Sequence, residues 1–301
     1  MISRRKFMAA GVAAFPFVAR GADKALLTLG LVADPQYADI PPMLTRHYRA
    51  SPGKLGAAIE RFNGLPLDFC VNVGDSIDKN WESYDEILKV FGACKHKFHH
   101  VLGNHDFDLL DAQKADVPKR LAMPDRYYSI AKDRFCFVML DTNDVSTYAA
   151  TAGSPDFVNA SATLKKFSAT GAVNAQPWNG AVGVKQLRWF EETCRKAAEA
   201  KQKVIVFAHH PVFPPYNNHN AWNAGVLMQI VQRNPNVVAW INGHNHYGAF
   251  GVHEEVPYLT LKGMVETPDT NAFAVASLHE DRLVIAGEGR EPSRELVFRK
   301  A

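Results

Sequence analysis

The sequence predicts an α/β sandwich: two mixed sheets packed against each other with helices outside. Three observations carry this expectation. Strand-like and helix-like segments alternate through the first half, the pattern that places helices on sheet faces. The last part of the chain is almost entirely strand-like. Most short apolar runs end directly on Asp, Asn or His. With 301 residues, 47% hydrophobic and 22% charged, the chain has ordinary globular composition. Disordered, collagen-like and coiled-coil classes are excluded. The net charge of +3 gives no electrostatic case for nucleic acid or an anionic membrane, and no run of about 20 apolar residues exists to span a bilayer.

Taken in order, residues 25–33 (ALLTLGLVA) read as a buried strand ending at Asp34. A loose helical period runs over 44–62 through Leu55, Ala58, Ile59 and Phe62. Residues 68–73 are the next strand, ending at Gly74-Asp75. Residues 81–91 are helical, and 98–102 form a short strand before Gly103-Asn104-His105-Asp106. Segments 127–130 and 135–140 read as an antiparallel pair. Residues 142–181, rich in Ala, Ser, Thr, Asn and Gly, read as a long irregular insertion on the substrate side. A helix follows over 184–200. Strands at 204–208 and 237–242 end at His209-His210 and Gly243-His244-Asn245-His246. Segments 256–261, 273–278 and 283–286 complete the β-rich tail.

Residues 1–21 stand outside this scheme. Arg4, Arg5 and Lys6 precede an apolar run from Ala9 to Val18, and Ala19-Arg20-Gly21 offers small residues before Ala22. That is the arrangement of a secretory signal, and the paired arginines resemble the twin-arginine type. The expectation is a signal at 1–21 and one domain at 22–301. The twin-arginine export machinery would then carry the chain to the periplasm or the extracellular space. Cys70, Cys94, Cys136 and Cys194 form no CxxC pair and read as small apolar residues.

The chemistry is concentrated at the strand ends. Asp34, Gln36, Asp75, Asn104, His105, His209, His244 and His246 all follow predicted strands. In α/β sheets, ligands gather at the carboxyl ends of strands, so these residues point toward one crevice. Each alone has an ordinary structural explanation in a turn or a cap. The alternation in Gly243-His244-Asn245-His246 puts two imidazoles on the same side, which is unusual without a metal. Carboxylate, amide oxygen and imidazole together suit Mn²⁺, Fe²⁺ or Zn²⁺. Seven candidate ligands are too many for one ion and sensible for two, about 3.5–4 Å apart.

These residues resemble the calcineurin-like metallophosphoesterases, whose pattern is D-x-H, G-D-x-x-D, G-N-H-[DE], H and G-H-x-H. The chain has Asp34-Pro35-Gln36, Gly74-Asp75-Ser76-Ile77-Asp78, Gly103-Asn104-His105-Asp106, His209 and Gly243-His244-Asn245-His246. Gln36 stands where that pattern has histidine. In this the chain is similar to the manganese-dependent ADP-ribose/CDP-alcohol diphosphatase family, which carries D-x-Q-Y-A-D; here it is Asp34-Pro35-Gln36-Tyr37-Ala38-Asp39. Arg46-His47-Tyr48-Arg49, Asp125-Arg126-Tyr127-Tyr128-Ser129, Ala221-Trp222-Asn223, Gly263-Met264-Val265-Glu266-Thr267 and Gly287-Glu288-Gly289-Arg290 extend the likeness.

The resemblance implies a four-layer αββα sandwich and two divalent ions, Mn²⁺ first, with Fe²⁺ or Zn²⁺ as alternates. It implies that Asp34, Gln36, Asp75 and His246 hold one ion, and that Asp75, Asn104, His209 and His244 hold the other. It further implies in-line attack on phosphorus by a metal-bridging hydroxide, with His105 assisting the leaving oxygen and Asp78 orienting His105. The expected substrate is a small nucleotide in which a diphosphate links the nucleoside to a second group. Tyr37, Arg46, Arg49, His210 and Trp222 are candidate substrate contacts. A cyclic-nucleotide phosphodiesterase and a phosphomonoesterase use the same ligands and are the alternatives within the superfamily. A metal-binding protein without turnover is the alternative outside it.

Overall fold

The structure, a computed structural model, describes residues 24–300, so the expected signal at 1–21 lies outside the described residues. The chain runs β1 (Leu27–Val32), α1 (Ser51–Asn63), β2 (Phe69–Asn72), α2 (Ser83–Gly92) and β3 (Phe98–His100). Two short helices, α3 (Asp111–Lys114) and α4 (Val117–Arg120), precede the hairpin β4 (Tyr128–Lys132) and β5 (Phe135–Met139). Then come α5 (Pro155–Ala169), α6 (Val184–Glu199), β6 (Lys203–Phe207), α7 (Ala224–Arg233) and β7 (Val237–Asn242). The chain ends with β8 (Ala249–His253), β9 (Val256–Thr260), β10 (Ala272–Leu278), β11 (Arg282–Gly289) and β12 (Arg294–Val297).

Two six-stranded sheets form, in the orders β12-β11-β10-β1-β2-β3 and β4-β5-β6-β7-β9-β8. Both are mixed. β1, β2 and β3 are mutually parallel, while β10 joins β1 antiparallel, with Leu29 opposite Ala276. In the other sheet β5, β6, β7 and β9 are parallel, and β4 and β8 are antiparallel edges. This is the expected four-layer αββα sandwich.

Side-chain alternation builds the layers. Leu29, Leu31, Phe69 and Val71 of the first sheet meet Phe135, Phe137, Ile205 and Phe207 of the second in one central cluster. The opposite face of the first sheet, with Val32 and Cys70, takes Leu55, Ala58, Ile59 and Phe62 of α1 and Tyr84, Ile87 and Phe91 of α2. The outer face of the second sheet takes Phe190 and Cys194 of α6 and Leu227, Ile230 and Val231 of α7 around Trp240. Each such large side chain, fully buried, contributes roughly 1.5–3 kcal/mol of transfer free energy. All four cysteines are free, and no described helix is long and apolar enough to cross a membrane.

Several expectations need correction. The helix expected over 44–62 begins only at Ser51, with Pro52 in its first turn. Leu44 has φ +54, which no helix accommodates. The segment 142–181 is not irregular throughout. It contains α5, opened by Ser154, whose hydroxyl accepts from the Phe157 amide, and by Pro155. α7 and the edge strands β8 and β12 were not anticipated.

Candidate metal centre

The parallel strands of both sheets deliver their carboxyl ends to one crevice. β1 leads to Asp34, β2 to Asp75, β3 to Asn104, β6 to His209 and β7 to His244. The loops are then zipped together by main-chain bonds. The Asp34 amide donates to Gly74 O (3.2 Å), Gln36 to Asp75 O (2.8 Å), and Gly243 to His209 O (3.1 Å). Four of the seven candidate ligands sit at positive φ: Asp34 (+50), Gln36 (+45), Asp75 (+53) and His244 (+69). Non-glycine residues rarely adopt this region, and it costs of order 1–3 kcal/mol each when held there. Such strain persists only where the surroundings over-determine it.

Three glycines directly precede ligands, each for close approach: a Cβ on Gly74 would stand 2.4 Å from His209 Nδ1. A Cβ on Gly103 would stand 2.1 Å from Asp75 Oδ1, and one on Gly243 would stand 2.7 Å from Asp34 Oδ2.

All seven predicted ligands converge and are buried, none more than 8% exposed. They divide into two overlapping clusters, Asp34–Asp75–His246 and Asp75–His209–His244, within which the ligand atoms lie inside 4.8 Å of one another. Asp75 belongs to both. Gln36 and Asn104 join from the sides: the Gln36 amide donates to Asp75 Oδ2 (2.8 Å), and Asn104 Oδ1 is 3.1 Å from His209 Nε2.

The histidine tautomers follow from their outer partners. His209 Nδ1 is 2.9 Å from Val73 O, which only accepts, so Nδ1 carries the proton. His244 Nε2 is 2.8 Å from Asn179 Oδ1. That amide is oriented by Nδ2, which donates to the carbonyls of Asn174 (3.0 Å) and Asn218 (2.7 Å), so His244 Nε2 is the donor. His246 Nδ1 is 2.7 Å from Glu266 Oε1. Each imidazole is therefore pinned from outside, with its other nitrogen turned inward.

With one proton on each ring, the inward atoms are mutual acceptors. His209 Nε2 and His244 Nδ1 approach to 3.2 Å, and His209 Nε2 lies 3.3 Å from Asp75 Oδ2. Lone pairs at that separation repel unless a positive centre lies among them. Gln36 Oε1 is buried without a hydrogen-bond partner. A half-turn of that amide presents the oxygen to Asp75 and His246, the orientation a cation needs. The donor set thus fits a pair of divalent ions. Burial opposes the charge of Asp75, yet the charges of His209 and His105 and bonds from His209 and Gln36 hold its carboxyl well below the usual carboxylate range. A second proton serves as that positive centre in the same way: against burial, Asp75 raises His209, and Asp34 and Glu266 raise His246, to about 9.

At the open side, His105 Nδ1 is 2.9 Å from buried Asp78 Oδ1. Its Nε2 faces Arg46 Nη1 at 3.5 Å. Burial pushes the His105 imidazole down. The Asp75 charge and the bond and charge of Asp78 outweigh that, so it stands above its ordinary value.

The candidate substrate contacts fare unequally. Arg46 borders His105 and is partly exposed. Tyr37 is half-buried; its main chain bridges to Ile77 between two ligand loops. Arg49 is turned to Asp39 in an exposed ion pair at 2.6 Å. His210 is fully buried behind His209 and His244, with Nδ1 2.7 Å from Thr142 Oγ1 and Nε2 3.4 Å from Trp178 O. Burial first, then the charge of His209, push it well below the ordinary histidine value. Trp222 is 2% exposed and donates its indole N–H to Gln176 O (3.0 Å). His210 packs directly behind His209 and His244, and Trp222 is buried against the 176–180 segment; neither has a polar atom left for a substrate.

Three supporting residues had no assigned role in the sequence. Asp106 accepts from the amides of Asp75 (3.1 Å), Ser76 (2.9 Å) and Gly103 (2.9 Å), clipping two ligand loops together. Its place directly after Asn104-His105 was the available signal. Glu266 and Asn179 orient His246 and His244, and only the fold brings them there.

The model of the calcineurin-like phosphoesterase family matches residues 27–248. The chain belongs to this family. As a calcineurin-like phosphoesterase it is a metal-dependent hydrolase. Curated relatives named manganese-dependent ADP-ribose/CDP-alcohol diphosphatase include one from Oryza sativa subsp. japonica, 30% identical over 91% of this chain and 94% of that one. The one from Homo sapiens is 26% identical over 91% of this chain and 94% of that one. Among solved structures, a dimetal phosphatase from Danio rerio superposes with a TM-score of 0.82 at 26% identity, covering 92% of this chain and all of that one. A purple acid phosphatase from yellow lupin, at 12% identity and a TM-score of 0.57, shares the fold.

Proposed function

We propose that this phosphoesterase hydrolyses the diphosphate bond of nucleoside-diphosphate-linked small molecules, ADP-ribose and CDP-alcohols, with two divalent ions, Mn²⁺ foremost. The observation that carries the metal part is Asp75, shared by two ligand clusters whose imidazole lone pairs face one another. The relatives' shared name supports the substrate class. Asp34, Gln36, Asp75 and His246 would hold one ion, and Asp75, Asn104, His209 and His244 the other. When bound, such a pair supplies Lewis acidity, offsetting phosphoryl charge and acidifying water. Gln36 is a neutral oxygen donor in place of an imidazole, which shifts preference from Zn²⁺ toward Mn²⁺.

The chain's own groups complete the reaction. Asp78 holds His105 through Nδ1, so Nε2 is the nitrogen left to meet the substrate. Burial opposes a second proton on that ring, but the charges of Asp75 and Asp78 raise its proton affinity above the ordinary histidine value, which suits Nε2 to hand a proton to the departing oxygen. Arg46 places a fixed positive charge beside it, suited to the second phosphate. Purified enzyme with Mn²⁺ is expected to release AMP from ADP-ribose and CMP from CDP-choline. A chelator should stop this, and added Mn²⁺ should restore it. Turnover of 2′,3′-cyclic AMP or p-nitrophenyl phosphate alone would retain the metal centre and refute the diphosphatase assignment.

We further propose that residues 1–21 are a twin-arginine export signal and that the mature domain works outside the cytoplasm. The basic start, the short apolar run and the small residues before Ala22 support this. The periplasmic or secreted protein is expected to begin at Ala22 by N-terminal sequencing, and Arg4→Lys with Arg5→Lys should strand it in the cytoplasm. Activity confined to the cytoplasm on an uncleaved chain would refute the assignment.

A further inference from the structure

Lys54 lies on the buried face of α1, beside Leu55 and one turn before Ala58, and is only 6% exposed. Charged side chains are almost never buried to this degree without partners. Here the partners are three carbonyl oxygens of one short segment: Met264 (2.5 Å), Glu266 (3.0 Å) and Thr267 (2.8 Å). They match the three N–H donors of an ammonium group. The same segment is tied to the first ligand loop, since the amides of Met264 and Val265 donate to Ala33 O (2.9 Å) and Asp34 O (3.0 Å). Arg290 donates to Gly263 O at the segment's start. The segment carries Glu266, whose carboxylate is 2.7 Å from His246 Nδ1.

We propose that Lys54 is a positioning residue: by gathering the carbonyls of 264–267 it sets Glu266 against His246 and so tunes the Asp34–Gln36–Asp75–His246 half of the metal centre, leaving the other half alone. This rests on the two-metal reading above. The other half is oriented by Val73 and Asn179, which Lys54 does not touch. A purely space-filling role at this position needs no charge, and the protein holds the charge at a cost. Burial, then the charge of Arg290, bring the Lys54 amine down to about 8, against the opposing charges of Glu266 and Asp269. Carboxylates that orient ligating histidines are worth about 10–100-fold in metal affinity.

The test titrates Mn²⁺ into the metal-free chain by calorimetry, with paramagnetic resonance to count bound ions. Wild type should bind two Mn²⁺. Lys54→Met should weaken one site by about tenfold or more and the other by less than about threefold. In a Glu266→Gln background, Lys54→Met should add less than about threefold, because both changes act through one contact. Lys54→Gln, which keeps two donors on a shorter arm, serves if Lys54→Met fails to fold, and should weaken the same site only. Equal weakening of both sites, or full additivity with Glu266→Gln, would overturn the proposal. Two Mn²⁺ bound by wild type and by Lys54→Met with unchanged affinities would also overturn it, leaving the metal centre standing. Fewer than two Mn²⁺ in wild type would overturn the two-metal reading itself, and this proposal with it.

Discussion

Asp75→Asn is expected to abolish Mn²⁺ binding at both halves of the centre and to lower kcat/KM by about 10³-fold or more, the largest loss available from one side chain. Most ligands here belong to one cluster, and their removal leaves the other cluster complete. Asp75 belongs to both. Its Oδ2 faces His209 Nε2 and accepts from Gln36, while Oδ1 accepts the His105 amide at 2.9 Å. One isosteric change removes the charge from the middle of the cluster and leaves the inward lone pairs of His209 and His244 with no anion to share a cation. Each half then loses attraction for a divalent ion, and the Lewis acidity on which phosphoryl transfer rests goes with it.

Thermal melting gives a readout independent of turnover. A ligand that binds only the folded state at a hundredfold its Kd stabilises by about 2.7 kcal/mol. For a domain of this size that is roughly 5 °C or more in Tm. Wild type should show such a rise on adding Mn²⁺, and Asp75→Asn should show none. Asp78→Asn, which leaves every ligand in place, should keep the rise. A variant at Asp75 that retains the full Mn²⁺-dependent shift would show that the two clusters do not share this carboxylate.

Most of this centre was legible in the sequence because its ligands occupy positions with a local signature. A buried parallel strand reads as a short apolar run, and the first polar residue after it lies at the sheet's carboxyl edge. Asp34, Asp75, Asn104, His209 and His244 all obey that rule. What lay outside the signature was lost. α5 buries only Ala160, so its sequence has no apolar stripe, and its composition resembles a loop. Ser154 followed by Pro155 was the remaining clue, a cap and a first-turn proline. α7 had a clearer signal in Leu227, Ile230 and Val231. β8 and β12 are edge strands with little to bury, and alternation over so few residues is weak.

The second layer of the centre was illegible for a different reason. Asn179 and Glu266 reach their histidines across 65 and 20 residues, and Lys54 reaches the Glu266 segment across 210 or more. Such pairings have no period and no spacing; they exist only once β1 has taken β10 on one side and β2 on the other. The same nonlocality explains Arg49, His210 and Trp222. Polar residues near a motif in sequence look available, but Asp39, Thr142 and Gln176 hold their polar atoms in the fold.

His105→Ala is expected to cost about 10²–10⁴-fold in kcat/KM while leaving Mn²⁺ binding intact. The change spares the metal ligands and keeps the backbone amide that donates to Asp75, so the loss is confined to the imidazole. What distinguishes proton donation from simple phosphate contact is dependence on the leaving group. A ribose alkoxide, as in a 2′,3′-cyclic nucleotide, departs poorly without a proton. A nitrophenolate departs readily without one, and the phosphate ester released from a diphosphate departs more readily than an alkoxide. If His105 Nε2 delivers a proton, the penalty should be much larger for the cyclic substrate than for the diphosphate or the p-nitrophenyl ester, whose leaving groups are of similar acidity. If the ring only attracts phosphate, the penalty should be the same for all three. Asp78→Asn should follow the same ranking with a smaller loss, because it loosens the Nδ1 anchor at 2.9 Å without removing the ring. A flat profile in His105→Ala would remove the acid role and leave Arg46, which approaches His105 Nε2 to 3.5 Å, as the group to examine beside the leaving oxygen.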